Sequence, residues 1–456
     1  MAGYREQFGP VVRFALPGRP VVLMADPAGI RTALHSGPDT VTKGCPAGAR
    51  SVYDRLPLRL LGQGMLTSSG ELHQRQQRLV APGLGPHRMA EFAHVFAEEA
   101  AAVAAVWDRG GIRDVHHDLA ALALAVISRT VFGSRIRPGE VEILDAALAA
   151  GNQWSVRPLL PGAGALDLLP LPRTRGWLRA HREIHEVLDL LIARGRRGSG
   201  PGSDLLDRIL TARDPLTGVP VGPAQARDEA VTLLVAGHET TANALFWCLE
   251  LLARHPAAQD RVRAEIRRVL GERISPTPAD LPGLVHTRAA LYEAFRLYPP
   301  VWLISRTLVR PCAVAGHRLP AGTVLLLSPW VTHRDPGLWL EPAAFRPERW
   351  IGAGRTLADR TASDAGRHER RYFPFAAGPR RCAGQFFAES ECLLTLATLL
   401  RDRAVSPVDR RPATPVPAFT LRPHAGTRLR VSAVPSLPAG ARAVGRPAVE
   451  IEGVQP

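Results

Sequence analysis

Phe375-Ala376-Ala377-Gly378-Pro379-Arg380-Arg381-Cys382-Ala383-Gly384 is the stretch on which the reading of this chain turns. A single Cys stands between two glycines, after an aromatic residue and just before an apolar run, Ala388 to Leu400, that predicts a helix. Gly378 and Gly384 permit a tight turn that aims backbone N–H groups at the sulfur. The N-terminus of the following helix adds positive potential, which lowers a thiol pKa. Arg380 sets a cation beside any anion bound there. Such a loop suits a thiolate; the bland alternative is a buried free Cys.

Three constellations lie upstream. Ala236-Gly237-His238-Glu239-Thr240-Thr241 falls in the middle of a predicted helix that starts near Pro223, runs from Ala226 and stops at His255-Pro256. At 1.5 Å per residue that rod is about 45 Å long. A Gly inside a helix costs about 1 kcal/mol against Ala, and Thr240 can bond back to the Ala236 carbonyl and bend the rod, so the motif is expected to open a ligand groove. A zinc HExxH reading fails, because the fourth residue after His238 is Ala242. Glu293-Ala-Phe-Arg296 places a carboxylate and a guanidinium on one helix face. Gly70-Glu-Leu-His73-Gln-Arg75-Gln-Gln77-Arg78 supplies a His with basic neighbours.

Together these motifs resemble the cytochrome P450 superfamily, whose haem-binding loop F-x-x-G-x-R-x-C-x-G is matched at every fixed position. The resemblance implies a mainly α fold with small β-sheets, in which a long central helix lies over the haem and the Cys-ligand loop lies below it. It implies thiolate-ligated haem b with Cys382 as the axial iron ligand, Phe375, Gly384 and Ala236 at the cofactor, and Arg380, Arg306 and His73 at the haem propionates. The family usually carries Arg four residues after the His73 position; here stands Gln77, which leaves that propionate partner open. Glu239 and Thr240 correspond to the family's proton-delivering acid and alcohol. Glu293, Arg296 and Arg349, the last from Phe345-Arg-Pro-Glu-Arg349-Trp350, correspond to a buried structural triad.

The resemblance implies a soluble, bacterial-type monooxygenase that takes one atom of O2 into an apolar small molecule. Electrons would come ultimately from NAD(P)H through a separate ferredoxin and ferredoxin reductase. Leu159, Leu160, Leu233, Val301, Leu303 and Phe419 correspond to the substrate pocket, and their apolar character suits a terpenoid, acyl chain, steroid or macrolide-like skeleton, with terpenoid hydroxylation or epoxidation favoured. Two rivals stand beside this: a haem-thiolate peroxygenase, isomerase or dehydratase, and a non-catalytic haem or ligand-binding protein.

Composition narrows the field. With 46% apolar and 22% charged residues the chain is globular rather than disordered. The net charge of +15 comes almost wholly from Arg, Lys43 being the only lysine, which together with 41 Gly and 41 Pro reflects GC-rich codon usage. The basic residues are dispersed among acids without aromatic platforms, so nucleic-acid binding is not expected, whereas an acidic protein partner fits. Five Cys without a CxxC pair suggest neither a disulfide framework nor a zinc site. No apolar run approaches the roughly 20 residues of a membrane span, and no signal segment opens the chain; a cytoplasmic monomer is expected. Residues 1–433 read as one domain, with a disordered tail over 434–456. Tyr4-Arg-Glu-Gln-Phe-Gly resembles the last turn of a helix that precedes the first strand in this family, so the resemblance implies that the family's N-terminal segment, about 30 to 40 residues, is truncated here. The Pro- and Leu-rich stretch 157–172 reads as a lid or binding loop.

Overall fold

The computed structural model describes residues 1–16, 19–43, 62–155, 172–198, 204–351 and 371–434. Leu159 and Leu160, almost all of the loop around them and the tail after Val434 lie outside the described residues. In chain order, helix α1 (Ala2–Phe8) precedes the strands β1 (Val11–Leu16) and β2 (Arg19–Met24), helix α2 (Pro27–His35) and strand β3 (Val41–Thr42). Helices α3 (Gly70–Val80) and α4 (Met89–Trp107), strand β4 (Gly111–Arg113), and helices α5 (Val115–Phe132), α6 (Pro138–Ser155), α7 (Pro172–Gly198) and α8 (Leu205–Thr211) follow. They lead to the central helix α9 (Pro223–Arg254) and to α10 (Pro256–Leu270) and α11 (Val285–Leu297). Strands β5 (Ile304–Leu308), β6 (Cys312–Val314), β7 (His317–Leu319) and β8 (Val324–Leu327) come next, then the single turn α12 (Pro329–Thr332) and helix α13 (Gln385–Leu400). Strands β9 (Arg403–Pro407), β10 (Pro415–Pro417), β11 (Leu421–Pro423) and β12 (Leu429–Ala433) end the described chain.

The central helix is buried nearly all round, so the polar residues it carries, among them Glu229, His238, Glu239, Asn243 and Glu250, lie inside the protein with its apolar ones. Pro223 starts it at a position where a missing N–H costs nothing, and Pro256 stops it. Trp247 anchors its C-terminal half, stacked on Tyr298 at 4.0 Å between ring centroids and donating from its indole to the Leu421 carbonyl at 3.0 Å. Helix α5 packs along the central helix. Among the described residues, α5 alone is long and apolar enough to cross a membrane, and 67% of it is buried inside the protein.

Two features of the β structure position the site. The main sheet runs β1-β2-β8-β5-β3, with β2 parallel to β8 and the remaining pairs antiparallel. The pairing of β3 with β5 sets Val41 opposite Leu308 and Thr42 opposite Thr307. A second sheet, β4-β12-β9, ties the chain end to the segment between α4 and α5. The Ala- and Leu-rich periodicity from Ala90 to Phe132 predicts one helical stretch; Gly110 and Gly111, both at positive φ, instead break it to admit β4. The alternation over Ala418 to Leu421 predicts a strand; residues 418–420 are instead a bend between β10 and β11, with Phe419 exposed in it.

Candidate functional site

Helix α13 holds the Cys382 loop from below. Phe387 on its first turn packs edge-on against Phe92 and Phe96 of α4, at 5.7 and 5.0 Å between centroids. The loop closes on itself where the Cys382 N–H donates to the Phe375 carbonyl at 2.9 Å, and Phe375 lies edge-on to Phe295 of α11. Gly378 sits at φ +68, and a Cβ there would stand 2.2 Å from the Leu34 carbonyl oxygen of α2. Gly384 differs: its φ is −90, and a Cβ would meet only the tip of Leu84, at 3.9 Å. The turn therefore requires glycine at 378 but not at 384. The Cys382 side chain is solvent-reachable, yet protein surrounds it closely enough that burial pushes its thiol up, outweighing the pull of the Gly384 N–H and Arg381. Desolvation of the charged form is thus the largest influence on the free thiol.

The loop is tied to a buried polar lock. Arg296 donates to both oxygens of Glu293, at 2.9 and 2.8 Å, and both side chains are wholly buried. Arg349 and Trp350 add bonds of 2.9 and 2.8 Å to the same carboxylate, and the Arg346 N–H adds one of 3.0 Å. Arg296 also donates to the His333, Pro342 and Ala344 carbonyls. His333 in turn accepts from the Phe373 N–H at 3.0 Å, two residues before Phe375. Burial and Arg296 hold His333 far below the usual histidine range, in the neutral form this acceptor role requires. Glu293, Arg296 and Arg349, singled out from sequence, are brought together with all of Glu293's charge matched.

Beside the Cys loop stand four basic side chains. His73 of α3 and Arg306 of β5 are buried, with Arg380 and Lys43 beside them. Arg380 donates to the Ser68 carbonyl at 2.6 Å, and Lys43 donates to the Leu66 carbonyl. Burial lowers Lys43 to about 7 and His73 to about 4, and the further charges acting on either are all cations. Arg306 and Arg380 are lowered to about 10. Arg306 and Arg380, two guanidiniums drawn largely out of water with an ammonium and an imidazole beside them, ask for an anion of matching charge. Lys43 was missed in the sequence reading, where its only signal was that no other lysine exists. Neither open candidate at the α3 position joins the cluster: Arg78 donates to Asp214 at 2.8 Å, and Arg75 lies 3.7 Å from the same carboxylate.

In the middle of α9, Ala236 is exposed although Val235, His238 and Glu239 are buried, so one open side interrupts an otherwise covered helix. Thr240 donates to the Ala236 carbonyl at 2.6 Å, as its spacing predicts. Gly237 serves packing instead of the groove: a Cβ there would strike Ile127 of α5 at 2.5 Å. Glu239 forms an ion pair of 2.9 Å with Arg422 of β11, a partner no local motif announces. His238, lowered to about 3 by burial, stays neutral. Nearby, His116 bonds Asn243 at 2.8 Å and Asn243 bonds Thr420 at 3.0 Å.

Of the predicted pocket residues, Leu233 is buried in the main core, Val301 and Leu303 are half-buried ahead of β5, and Phe419 is exposed. The Trp302 indole donates to the Ala418 carbonyl at 2.8 Å, and the Leu421 N–H donates to the Pro300 carbonyl at 2.9 Å. These bonds join the segment of Val301 and Leu303 to the bend that carries Phe419.

The family model described as Cytochrome P450 matches residues 1–427. The chain belongs to the cytochrome P450 family. This P450 is 34% identical over 363 residues to cyclooctatin synthase of Streptomyces melanosporofaciens, covering 79% of this chain and 77% of the relative. It is 33% identical over 357 residues to the cyclooctat-9-en-7-ol 5-monooxygenase of the same organism, covering 78% and 75%. Pentalenene oxygenase of Streptomyces avermitilis matches at 31% over 382 residues, covering 84% and 82%. Among solved structures, the cytochrome P450DA heme domain superposes with a TM-score of 0.80 at 25% identity, covering 94% of this chain and 91% of the other. The expected mainly α P450 fold is therefore borne out, and this P450 is an oxidoreductase of the monooxygenase class with haem-thiolate iron as its family cofactor.

Proposed function

We propose that this P450 inserts one oxygen atom from O2 into an apolar, polycyclic terpenoid, by hydroxylation or epoxidation. The observation that carries the reading is the interior cation cluster beside the Cys382 loop, because haem brings a soft-ligand iron and two carboxylates to one place. Cys382 would hold the iron, exchanging its proton for the metal. His73, Arg306 and Arg380 would hold the propionates, and Gly384, Phe375 and Ala236 would leave room for the macrocycle. When bound, the haem supplies O2 activation and transfer of one oxygen atom.

The chain's own residues handle position and protons. In hydroxylation, one substrate molecule, one O2, two electrons and two protons give one alcohol and one water, so the site must admit protons while excluding bulk water. Glu239 lies one residue before Thr240, buried beside the open side of α9, and Arg422 of β11 holds its carboxylate. The Thr240 hydroxyl, its hydrogen given to the Ala236 carbonyl, keeps its oxygen available to accept from a proton donor in the opening. Leu233, Val301, Leu303 and Phe419, with Leu159 and Leu160, would line an apolar site that orients the substrate by shape. Relatives named for oxygenation of pentalenene and of cyclooctat-9-en-7-ol support an olefinic carbocycle as the substrate class. Electrons from NAD(P)H through a ferredoxin and its reductase suit a chain of net charge +15.

The test is turnover of cyclic terpene hydrocarbons and alcohols with NADPH, ferredoxin and ferredoxin reductase, followed by mass spectrometry under labelled O2. One labelled oxygen per product is expected. Thr240→Ala should still consume NADPH while releasing more hydrogen peroxide and less product. Turnover supported by peroxide alone, or rearranged product without label, would replace this reading with a peroxygenase or isomerase.

A further inference from the structure

We propose that Lys43 is the residue that takes the haem propionate left without its usual partner by Gln77. This rests on the haem reading above and deepens it, by naming a carboxylate-binding residue outside the motifs that carry the resemblance. Three independent placements converge on it.

The first is register. Strand β3 pairs with β5 so that Val41 faces Leu308 and Thr42 faces Thr307. Continued by one residue, the same antiparallel register sets Lys43 beside Arg306, across two adjacent strands of one sheet. The second is the segment before α3. The Lys43 carbonyl accepts from the Ser69 hydroxyl at 3.0 Å, its ammonium donates to the Leu66 carbonyl, and Arg380 donates to the Ser68 carbonyl at 2.6 Å. Lys43 and Arg380 thus grip the same short stretch from the sheet and from the Cys loop. The third is elimination on α3 itself. Arg75 donates to the Val219 and Pro220 carbonyls at 3.3 and 2.8 Å, and Arg78 makes two bonds to Asp214, so neither turns toward His73.

A lysine in this position is also unusual for the chain. Of 57 basic residues it is the only one that is not Arg. Arg stays charged in any site, whereas a lone ammonium held between Arg306 and Arg380 needs an anion to remain so. A propionate at this point would restore the charge and occupy the ammonium protons that Leu66 leaves unused.

Haem transfer from the holoenzyme to excess apomyoglobin measures this contact without any turnover. Lys43→Met should lose haem at least about tenfold faster than wild type, the factor that one charge-assisted hydrogen bond carries. Lys43→Arg should restore the slow rate, and Arg75→Met should match wild type. Intact mass spectrometry during the same transfer, with sulfo-N-hydroxysuccinimide acetate as probe, reads the wild-type chain alone. Apart from the N-terminal amine, Lys43 is the only amine in the chain, so its acetylation should follow haem loss in time while that of Met1 should not. Haem loss from Lys43→Met at the wild-type rate, or acetylation of Lys43 in the haem-loaded protein as fast as after haem loss, would overturn the assignment. Wild-type protein that takes up no haem would overturn the cofactor reading instead.

Discussion

Gly378 and Gly384 sit on either side of Cys382 and look alike in the sequence, yet Ala at the two positions should have opposite consequences. At 378 an L-residue pays for φ +68 and for a Cβ placed 2.2 Å from the Leu34 oxygen, 2.9 Å from its carbonyl carbon and 3.0 Å from the His35 Cα. The left-handed backbone costs roughly 1–2 kcal/mol. Relieving a contact with helix backbone, which cannot rotate away, adds about 1–3 kcal/mol. The loss of freedom in the unfolded chain returns somewhat less than 1 kcal/mol. Gly378→Ala should therefore destabilise the protein by about 1–4 kcal/mol. At 384 the backbone is ordinary and the nearest atom is at van der Waals distance, so Gly384→Ala should leave the haem-free chain within about 0.5 kcal/mol of wild type, the usual range for a neutral substitution. Its effect should fall on the cofactor, as faster haem loss. Urea unfolding of the haem-free proteins followed by Trp fluorescence, with haem transfer measured in parallel, separates the two. Equal destabilisation of the haem-free chain by both variants would refute this account of the loop.

Arg296→Met removes, among the described residues, the only cation bonded to both Glu293 oxygens, and leaves three backbone carbonyls, that of His333 buried, without their guanidinium donor; breaking such a pair costs about 3–5 kcal/mol, so thermal scans should show little folded protein near 37 °C. Glu229 of α9 is pushed up to about 7 by burial, so its contribution to stability is fullest below the ordinary carboxyl value and declines as pH rises toward 7. Glu229→Gln should flatten that decline and raise stability at pH 8 by at most about 3 kcal/mol, read from urea midpoints between pH 4.5 and 8. If an acidic ferredoxin docks on the basic surface, reduction rates in stopped-flow should fall steeply between low and physiological ionic strength; salt-independent rates would remove the electrostatic part of that docking.

What the sequence discloses here follows the range of the interactions. The Cys382 loop, the α9 motif with its Thr240 back-bond, and the Glu293–Arg296 pair are all set within four or so residues, and each is legible locally. Burial of α9 on nearly all faces is not legible, because Glu229, Thr232, Glu239, Asn243 and Glu250 recur at helical spacing and read as a solvent face, yet all are buried. Contacts between distant segments are not legible either. The three-residue strand β4 exists only because β12 offers it a partner. Arg422 reaches Glu239, and Asp214 draws Arg75 and Arg78 away from His73, across spacings with no periodicity to betray them. Gly237 and Gly378 illustrate the same limit: the glycines stand out in sequence, but their reasons, Ile127 and the Leu34 backbone, belong to neighbouring helices. Lys43 was visible only as a composition oddity until β3 set it beside Arg306.

The most direct test of the central claim is the absorption spectrum of the purified, dithionite-reduced protein before and after carbon monoxide. A strongly red-shifted Soret band, lost in Cys382→Ser, is the result expected if Cys382 binds haem iron as a thiolate. A band at the position of a neutral axial ligand in the wild-type protein, or one that survives in Cys382→Ser, would contradict it.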